Sequence, residues 1–157
     1  RSLLMTGPST FQADPLLAIH SYIGVGGLAF GEMEARAFSL FGRPRARTMN
    51  RSRTVELCYP TFVLRFEPSL TFNECTLLPG CQALLNGEPI TWDQSFLLKL
   101  SVLDSALQEG SGFIVSLACG IALSGFHDED PSQLAIHAFA RGAWDDVRLA
   151  PLSGVVT

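Results

Sequence analysis

The segment VELCYPTFVLRF, residues 55–66, decides the fold class. Its large apolar residues fall at every second position on both sides of a proline, at Val55, Leu57, Tyr59, Phe62, Leu64 and Phe66. Alternation with a period of two places one face of a strand against a core. Pro60 separates the two runs because proline cannot donate a hydrogen bond to a sheet ladder. The segment therefore predicts two strands joined by a turn.

Alternating segments continue towards the C-terminus. They cover residues 96–102, 113–123, 134–139 and 147–149, with shorter apolar pieces and turn signals within 71–87. Gly110, Ser111 and Gly112 lie between the first two segments, so we expect a hairpin there with a longish turn. Together these segments predict several antiparallel strands.

The N-terminal part has a different pattern. Asp14 and Pro15 are a good N-cap and first helical residue, and the apolar residues that follow fit one helical face, so we expect a helix over 14–23. The glycines within 24–31 predict a flexible joint. Residues 32–41 fit a helix and an alternating strand equally well.

These elements add up to an α+β fold, with short N-terminal helices packed on a curved antiparallel β-sheet or a small β-sandwich. The length of 157 residues fits a single domain over 1–157, with residues 1–12 as an arm. A hydrophobic content of 47% is enough to form a core and excludes wholesale disorder. Because the chain begins with Arg1 rather than Met, we expect a processed product, an expressed fragment or the ordered part of something longer.

Five of the eleven positively charged residues lie in one segment. The chain as a whole carries a net charge of −4, which disfavours a general role in binding nucleic acid. Yet residues 43–53 contain no acid and five arginines: Arg43, Arg45, Arg47, Arg51 and Arg53. An exposed basic loop of this kind contacts phosphates on RNA or on acidic lipids. The alternative is a solvated loop paired with the chain's own acids, such as those at 128–130. Aromatic residues for base stacking are absent, so we expect no sequence-specific binding of nucleic acid.

Two apolar segments lie near the chain ends. Leu3, Leu4 and Met5 precede the first expected helix, and Val155 and Val156 lie near the C-terminus. Exposed apolar residues of this kind are candidates for self-association. The longest apolar run, 113–123, is too short to span a bilayer, which needs about 20 residues.

No catalytic or metal motif has a recognised spacing. His127 and His137 flank an acidic turn that includes Asp130, and Cys75 and Cys81 do not have zinc-knuckle spacing. Cys58 and Cys119 lie in apolar runs, where a buried free thiol is ordinary, so we expect a reducing compartment.

The sequence has only weak signals for a phosphate-binding loop and for a catalytic pair of carboxylates. The glycines at 24–27 follow an expected helix rather than a strand, which argues against a phosphate loop. Asp93 and Asp145 each follow a tryptophan, but nothing in the sequence indicates a cleft between them. We expect no enzymatic activity, no cofactor and no metal.

The order of features resembles that of rhabdovirus matrix proteins. Four places carry the resemblance: the expected helix 14–23 with its glycine joint, Arg51-Ser52-Arg53-Thr54 before the strand at Val55, Ile90-Thr91-Trp92-Asp93 before 96–102, and the segment 142–149 around Trp144. The gap between the third and fourth places is longer than expected, and the family's proline-rich motifs and strongly basic tail do not appear in this sequence.

The resemblance implies a viral structural protein without enzymatic activity. Such a protein would self-associate and link the viral nucleocapsid to an acidic membrane surface during virion assembly and budding. It would be found in the virion, the host cytoplasm and the inner face of the host membrane. Arg43–Arg53 would then be the membrane or nucleocapsid contact. Two alternatives stay open: a capsid or shell protein, and a soluble β-sandwich enzyme or binding protein with a ligand near His127 and His137.

Overall fold

The computed structural model of the protein describes residues 15–126 and 130–152. This part of the chain is mostly β-structure with two short α-helices. In chain order the elements are β1 (Leu17–His20), β2 (Gly24–Val25), β3 (Leu28–Ala29), α1 (Glu34–Phe41), β4 (Ala46–Met49), β5 (Val55–Cys58), β6 (Phe62–Phe66), β7 (Phe72–Leu77), β8 (Ala83–Leu85), β9 (Glu88–Pro89), α2 (Gln94–Leu103), β10 (Gln108–Gly110), β11 (Phe113–Ser116), β12 (Ile121–Ser124), a 3₁₀ helix (Pro131–Gln133), β13 (Ala135–Phe139) and β14 (Ala150–Pro151).

Two sheets hold these strands. The larger sheet has nine antiparallel strands in the order β14-β10-β11-β12-β13-β7-β6-β5-β4. The smaller sheet has five strands in the order β3-β2-β1-β8-β9, and its β1–β8 pair is parallel. Side chains of both sheets and both helices share one apolar core. This content of strands and helices is compatible with the expected α+β fold. The expected N-terminal position of the helices is wrong, because both α-helices follow β1, β2 and β3 in the described chain.

The two strands predicted within 55–66 are confirmed as β5 and β6. Leu57 pairs with Leu64 across the ladder, and both are fully buried. Phe62 and Phe66 are on the same face and contribute two of the largest buried side chains. Burying a side chain of this size stabilises the fold by about 1.5–3 kcal/mol.

The prediction of a helix over 14–23 is wrong, since residues 17–20 form the strand β1 and residues 21–23 form a turn. Leu17 and Ile19 are buried and alternate with Ala18 and His20, which is the period of a strand. The parallel pairing of β1 with β8 outweighs the local helix signal, and Asp14 lies outside the described residues. The glycine segment 24–31, expected to be a joint, contains the β2–β3 hairpin.

The strand predicted over 96–102 is also wrong, because these residues belong to α2. Asp93 caps the helix by accepting a hydrogen bond from the backbone N–H of Ser95 at 3.0 Å. Phe96, Leu97 and Leu100 are the buried residues of the helix, which is a helical spacing. Phe96, Leu98, Leu100 and Val102 also fall at every second position, so the sequence pattern did not distinguish a helix from a strand.

Three more expectations change in detail. The run 113–123 forms two strands, β11 and β12, and the glycine turn at 110–112 joins β11 to β10 instead of to a strand over 96–102. Residues 147–149 are not a strand, and β14 is the last strand of the chain up to residue 152. The ambiguous segment 32–41 forms α1, while the expected strand within 134–139 is confirmed as β13.

Candidate functional site

The arginine-rich segment lies at one edge of the large sheet. It is not a loop throughout, as the sequence suggested: residues 46–49 form β4, which pairs only with β5 and ends the nine-stranded order. Pro44 precedes the strand and does not interrupt it. All four residues of β4 are exposed, so the predicted exposure of the segment is confirmed even though its loop conformation is not.

Arg47 is the one arginine of this segment that forms an ion pair within the described part of the chain. Its Nε and Nη2 atoms donate to the two carboxylate oxygens of Glu34 at 2.7 and 3.0 Å. This bidentate ion pair raises the pKa of Arg47 and connects the edge strand to α1. Arg47 is therefore the least available of the five arginines for a partner.

The other four arginines are exposed and form no ion pair among residues 15–126 and 130–152; they are Arg43, Arg45, Arg51 and Arg53. The expectation that acids at 128–130 pair with them is not met by Asp130, whose carboxylate binds Ser132. Residues 128 and 129 lie outside the described residues. We name these four arginines together the basic edge.

The turn between β4 and β5 has a defined geometry. Asn50 and Thr54 exchange hydrogen bonds, and the backbone N–H of Arg53 donates to the Asn50 carbonyl at 3.0 Å. Arg53 has a φ of 67°, in the left-handed region. This is the last position of a three-residue hairpin loop, where glycine is the usual residue. The chain instead places an arginine there, next to the exposed Arg51.

A second group of polar residues lies on the face of the large sheet opposite the core. Arg65 on β6 donates to Glu56 on β5 at 2.6 Å and to Glu74 on β7 at 2.9 Å, and it also contacts Thr76. The hydroxyl of Thr76 lies 2.9 Å from Nδ1 of His137 on β13. These cross-strand pairs connect four neighbouring strands.

Trp144 completes this polar group from the segment after β13. Its Nε1 donates to Glu74 at 2.8 Å, and its ring stacks on Phe139 and meets Phe113 edge-on. Burial alone would raise the pKa of Glu74. Hydrogen bonds with His137 and Trp144, together with the electrostatic effects of His137 and Arg65, lower the pKa of Glu74 below its usual range. Glu56, Glu74 and Arg65 each have a partner within this group, which is what a stabilising network requires.

A cavity of about 430 Å³ opens at the end of β12. It is lined by Trp92, Asp93, Gln94, Ser95, Gly125, Phe126, Pro131 and Leu134. The rings of Trp92 and Phe126 stack with centroids 5.9 Å apart, and Trp92 Nε1 donates to the carbonyl of Cys81 at 3.0 Å. The start of α2 and the start of the 3₁₀ helix therefore both border the cavity, and Trp92, backed by the buried Phe126, is its aromatic side.

The remaining predicted sites are distributed as follows. The self-association candidates Leu3, Leu4, Met5, Val155 and Val156 lie outside the described residues, as does His127. No group of three or more potential metal ligands occurs in the described part of the chain. Trp92 and Trp144, each followed by an aspartate, pack into different apolar clusters. None of the four cysteines forms a disulfide, and burial raises the pKa of the Cys75 thiol.

The comparisons with known proteins give no relative. The chain matches no family model, no curated protein and no solved structure. Among the described residues, no helix has the length and apolar character needed to cross a membrane.

Sequence reasoning missed the polar network and the cavity. Glu56, Arg65 and Glu74 do lie at non-core positions of alternating strands, which was a usable signal. Their contact depends on the register of β5, β6 and β7, which the sequence does not give. The cavity was missed because it depends on α2, which the sequence pattern assigned to a strand.

Proposed function

We propose that this protein is a non-enzymatic, matrix-like structural protein of a virus that self-associates and contacts an acidic membrane surface. In this role it links the nucleocapsid to the membrane during virion assembly. The observation that carries the proposal is the basic edge: four exposed arginines without an ion pair among the described residues, two on each side of the edge strand β4, in a segment with no aromatic residue for base stacking. Phosphates on a lipid surface suit such an edge because they require charge and not base recognition.

Self-association is supported by exposed apolar residues on α2. Val102 is 85% exposed, and Leu98 and Leu103 are also exposed. Single exposed apolar residues are common, but three on one short helix form a surface that a second copy can cover. A curved sheet, as expected from the sequence, would suit assembly on a curved membrane.

Vesicle co-sedimentation tests the membrane contact. The variant Arg43→Gln/Arg45→Gln/Arg51→Gln/Arg53→Gln removes the whole basic edge and leaves the Arg47–Glu34 pair in place. Each arginine near an anionic surface contributes about 1 kcal/mol, so we expect roughly a 1,000-fold loss of affinity for phosphatidylserine vesicles. Arg148→Gln, which removes an exposed charge elsewhere, should bind nearly as well as the natural chain. Equal binding by the fourfold variant would refute the membrane contact.

Sedimentation velocity tests self-association and separates the alternatives. Growth that continues with protein concentration supports a matrix-like protein. A closed particle of fixed size would instead support a capsid or shell protein. A monomer at all concentrations and salt conditions would refute the proposed function and favour a ligand-binding protein, for which the cavity beside Trp92 is the candidate site.

A further inference from the structure

The cavity beside α2 has the chemistry of a site for an organic cation. Trp92, whose ring is backed by the buried Phe126, forms one wall, and Asp93 lies on the rim. A guanidinium group binds well between an aromatic face and a carboxylate, because the ring quadrupole and the negative charge both attract it.

Two carboxylates beside the cavity each keep one oxygen available. Oδ1 of Asp93 accepts hydrogen bonds from Thr91 and from the backbone and side chain of Ser95, while Oδ2 accepts none in the described structure. Asp130, which precedes the lining residue Pro131, likewise uses only Oδ1, bonding to Ser132 at 2.7 and 3.1 Å. Both aspartates are N-caps, so the backbone fixes their positions. The hydrogen bonds from Ser95 and Thr91 lower the pKa of Asp93, which keeps this carboxylate ionised at neutral pH.

The turn that carries Arg51 and Arg53 has the complementary chemistry. It is exposed, its backbone is fixed by the Asn50–Thr54 bonds, and its last residue is an arginine in a conformation that glycine adopts more easily. Residues held in strained backbone conformations cluster at functional sites, which makes Arg53 a candidate contact residue.

The turn and the cavity lie too far apart to meet within one molecule. Register pairing places the β12–β13 connection at the same end of the sheet as the first residue of β4, whereas the turn follows the last residue of β4. The two sites are therefore at opposite ends of the strands. Four strand spacings also separate β13 from β4, which is roughly 20 Å.

We propose that the cavity of one copy receives an arginine side chain from the Arg51–Arg53 turn of a second copy. This inference rests on the proposed function and deepens it by naming the contact between copies. Because the donor turn and the acceptor cavity are different surfaces, each added copy leaves one of each unused. Such a head-to-tail contact builds an open chain wherever the rotation between copies does not close a ring. Arg43 and Arg45 at the other end of β4 stay available for the membrane.

Two assembly variants test the contact. Asp93→Asn/Asp130→Asn removes both charges at the cavity and keeps two good N-cap residues. Arg51→Gln/Arg53→Gln removes the charges of the turn, and Arg148→Gln is the matched control. In sedimentation velocity without vesicles, each double variant alone should associate at least tenfold more weakly than the natural chain, and the control should be unchanged.

Mixing the two double variants gives the decisive result. The turn variant retains an intact cavity and the cavity variant retains an intact turn, so an equimolar mixture should form a 1:1 complex that grows no further. If the natural chain associates but the cavity variant associates equally well, or the mixture forms no complex, this inference is overturned and the proposed function stands. A natural chain that stays monomeric overturns both.

Discussion

Replacing Arg53 by glycine should stabilise the folded protein while weakening its self-association. Arg53 has a φ of 67°, where a residue with a Cβ loses about 1–2 kcal/mol relative to its preferred conformations. Glycine removes that strain but makes the unfolded chain more flexible, which costs about 0.5–1 kcal/mol. The balance is a gain of about 0.5–1 kcal/mol, or a rise in Tm of about 1–4 °C for a domain of this size.

Thermal unfolding and sedimentation velocity on the same samples check this prediction. Ser52→Gly is the matched control, because Ser52 is in the same turn but has no positive φ. It should lower Tm slightly and leave association unchanged. If Arg53→Gly lowers Tm, the turn is not strained as described. If it raises Tm but self-association stays at the natural strength, the arginine side chain has no part in the contact between copies.

The polar network on the outer face of the sheet gives three further predictions. Arg65→Met should lower the free energy of unfolding by about 2–3 kcal/mol in urea, because it leaves the Glu74 carboxylate without its charged hydrogen bond. Since the fold lowers the pKa of Glu74 from 4.5, its stabilisation is complete above pH 4.5 and is lost as the pH falls through the folded-state pKa. The urea midpoint should therefore drop in acid, and Glu74→Gln should show a smaller drop. Trp144→Phe should keep the ring contacts and cost about 1.5–2 kcal/mol, measured by urea unfolding, through the lost bond to Glu74.

Alternation in the sequence identified the central strands because their two faces differ so clearly. Val55 and Leu57 are buried and Glu56 is not, so a period of two is visible without any tertiary information. The same rule misassigned α2, where Leu97, Leu98 and Leu100 are apolar on several sides of the helix. A helix that is apolar nearly all round carries no periodic signal to distinguish it from a buried strand.

The candidate site was predictable in its charge but not in its shape. The five arginines of residues 43–53 were visible as a run, and their exposure followed from their charge. The pairing of Arg47 with Glu34 was not visible, because it depends on how α1 packs beside β4. The cavity beside Trp92 was also hidden, since it joins residues 92–95 to residues 125–126 and to Pro131 and Leu134 across the fold.

The large sheet has apolar clusters on both faces at one end and on only one face at the other. Around β11–β13, Trp144 and its neighbours cover the outer face, while β4 is exposed along its whole length. Backbone hydrogen bonds under two layers open only when the whole domain unfolds, whereas those of an exposed edge open by fraying. Amide protons of β12 should therefore exchange with solvent far more slowly than those of β4. The edge strand, held by β5 and by the Arg47–Glu34 pair, is then the first part of the large sheet to open, while the β12 end stays folded.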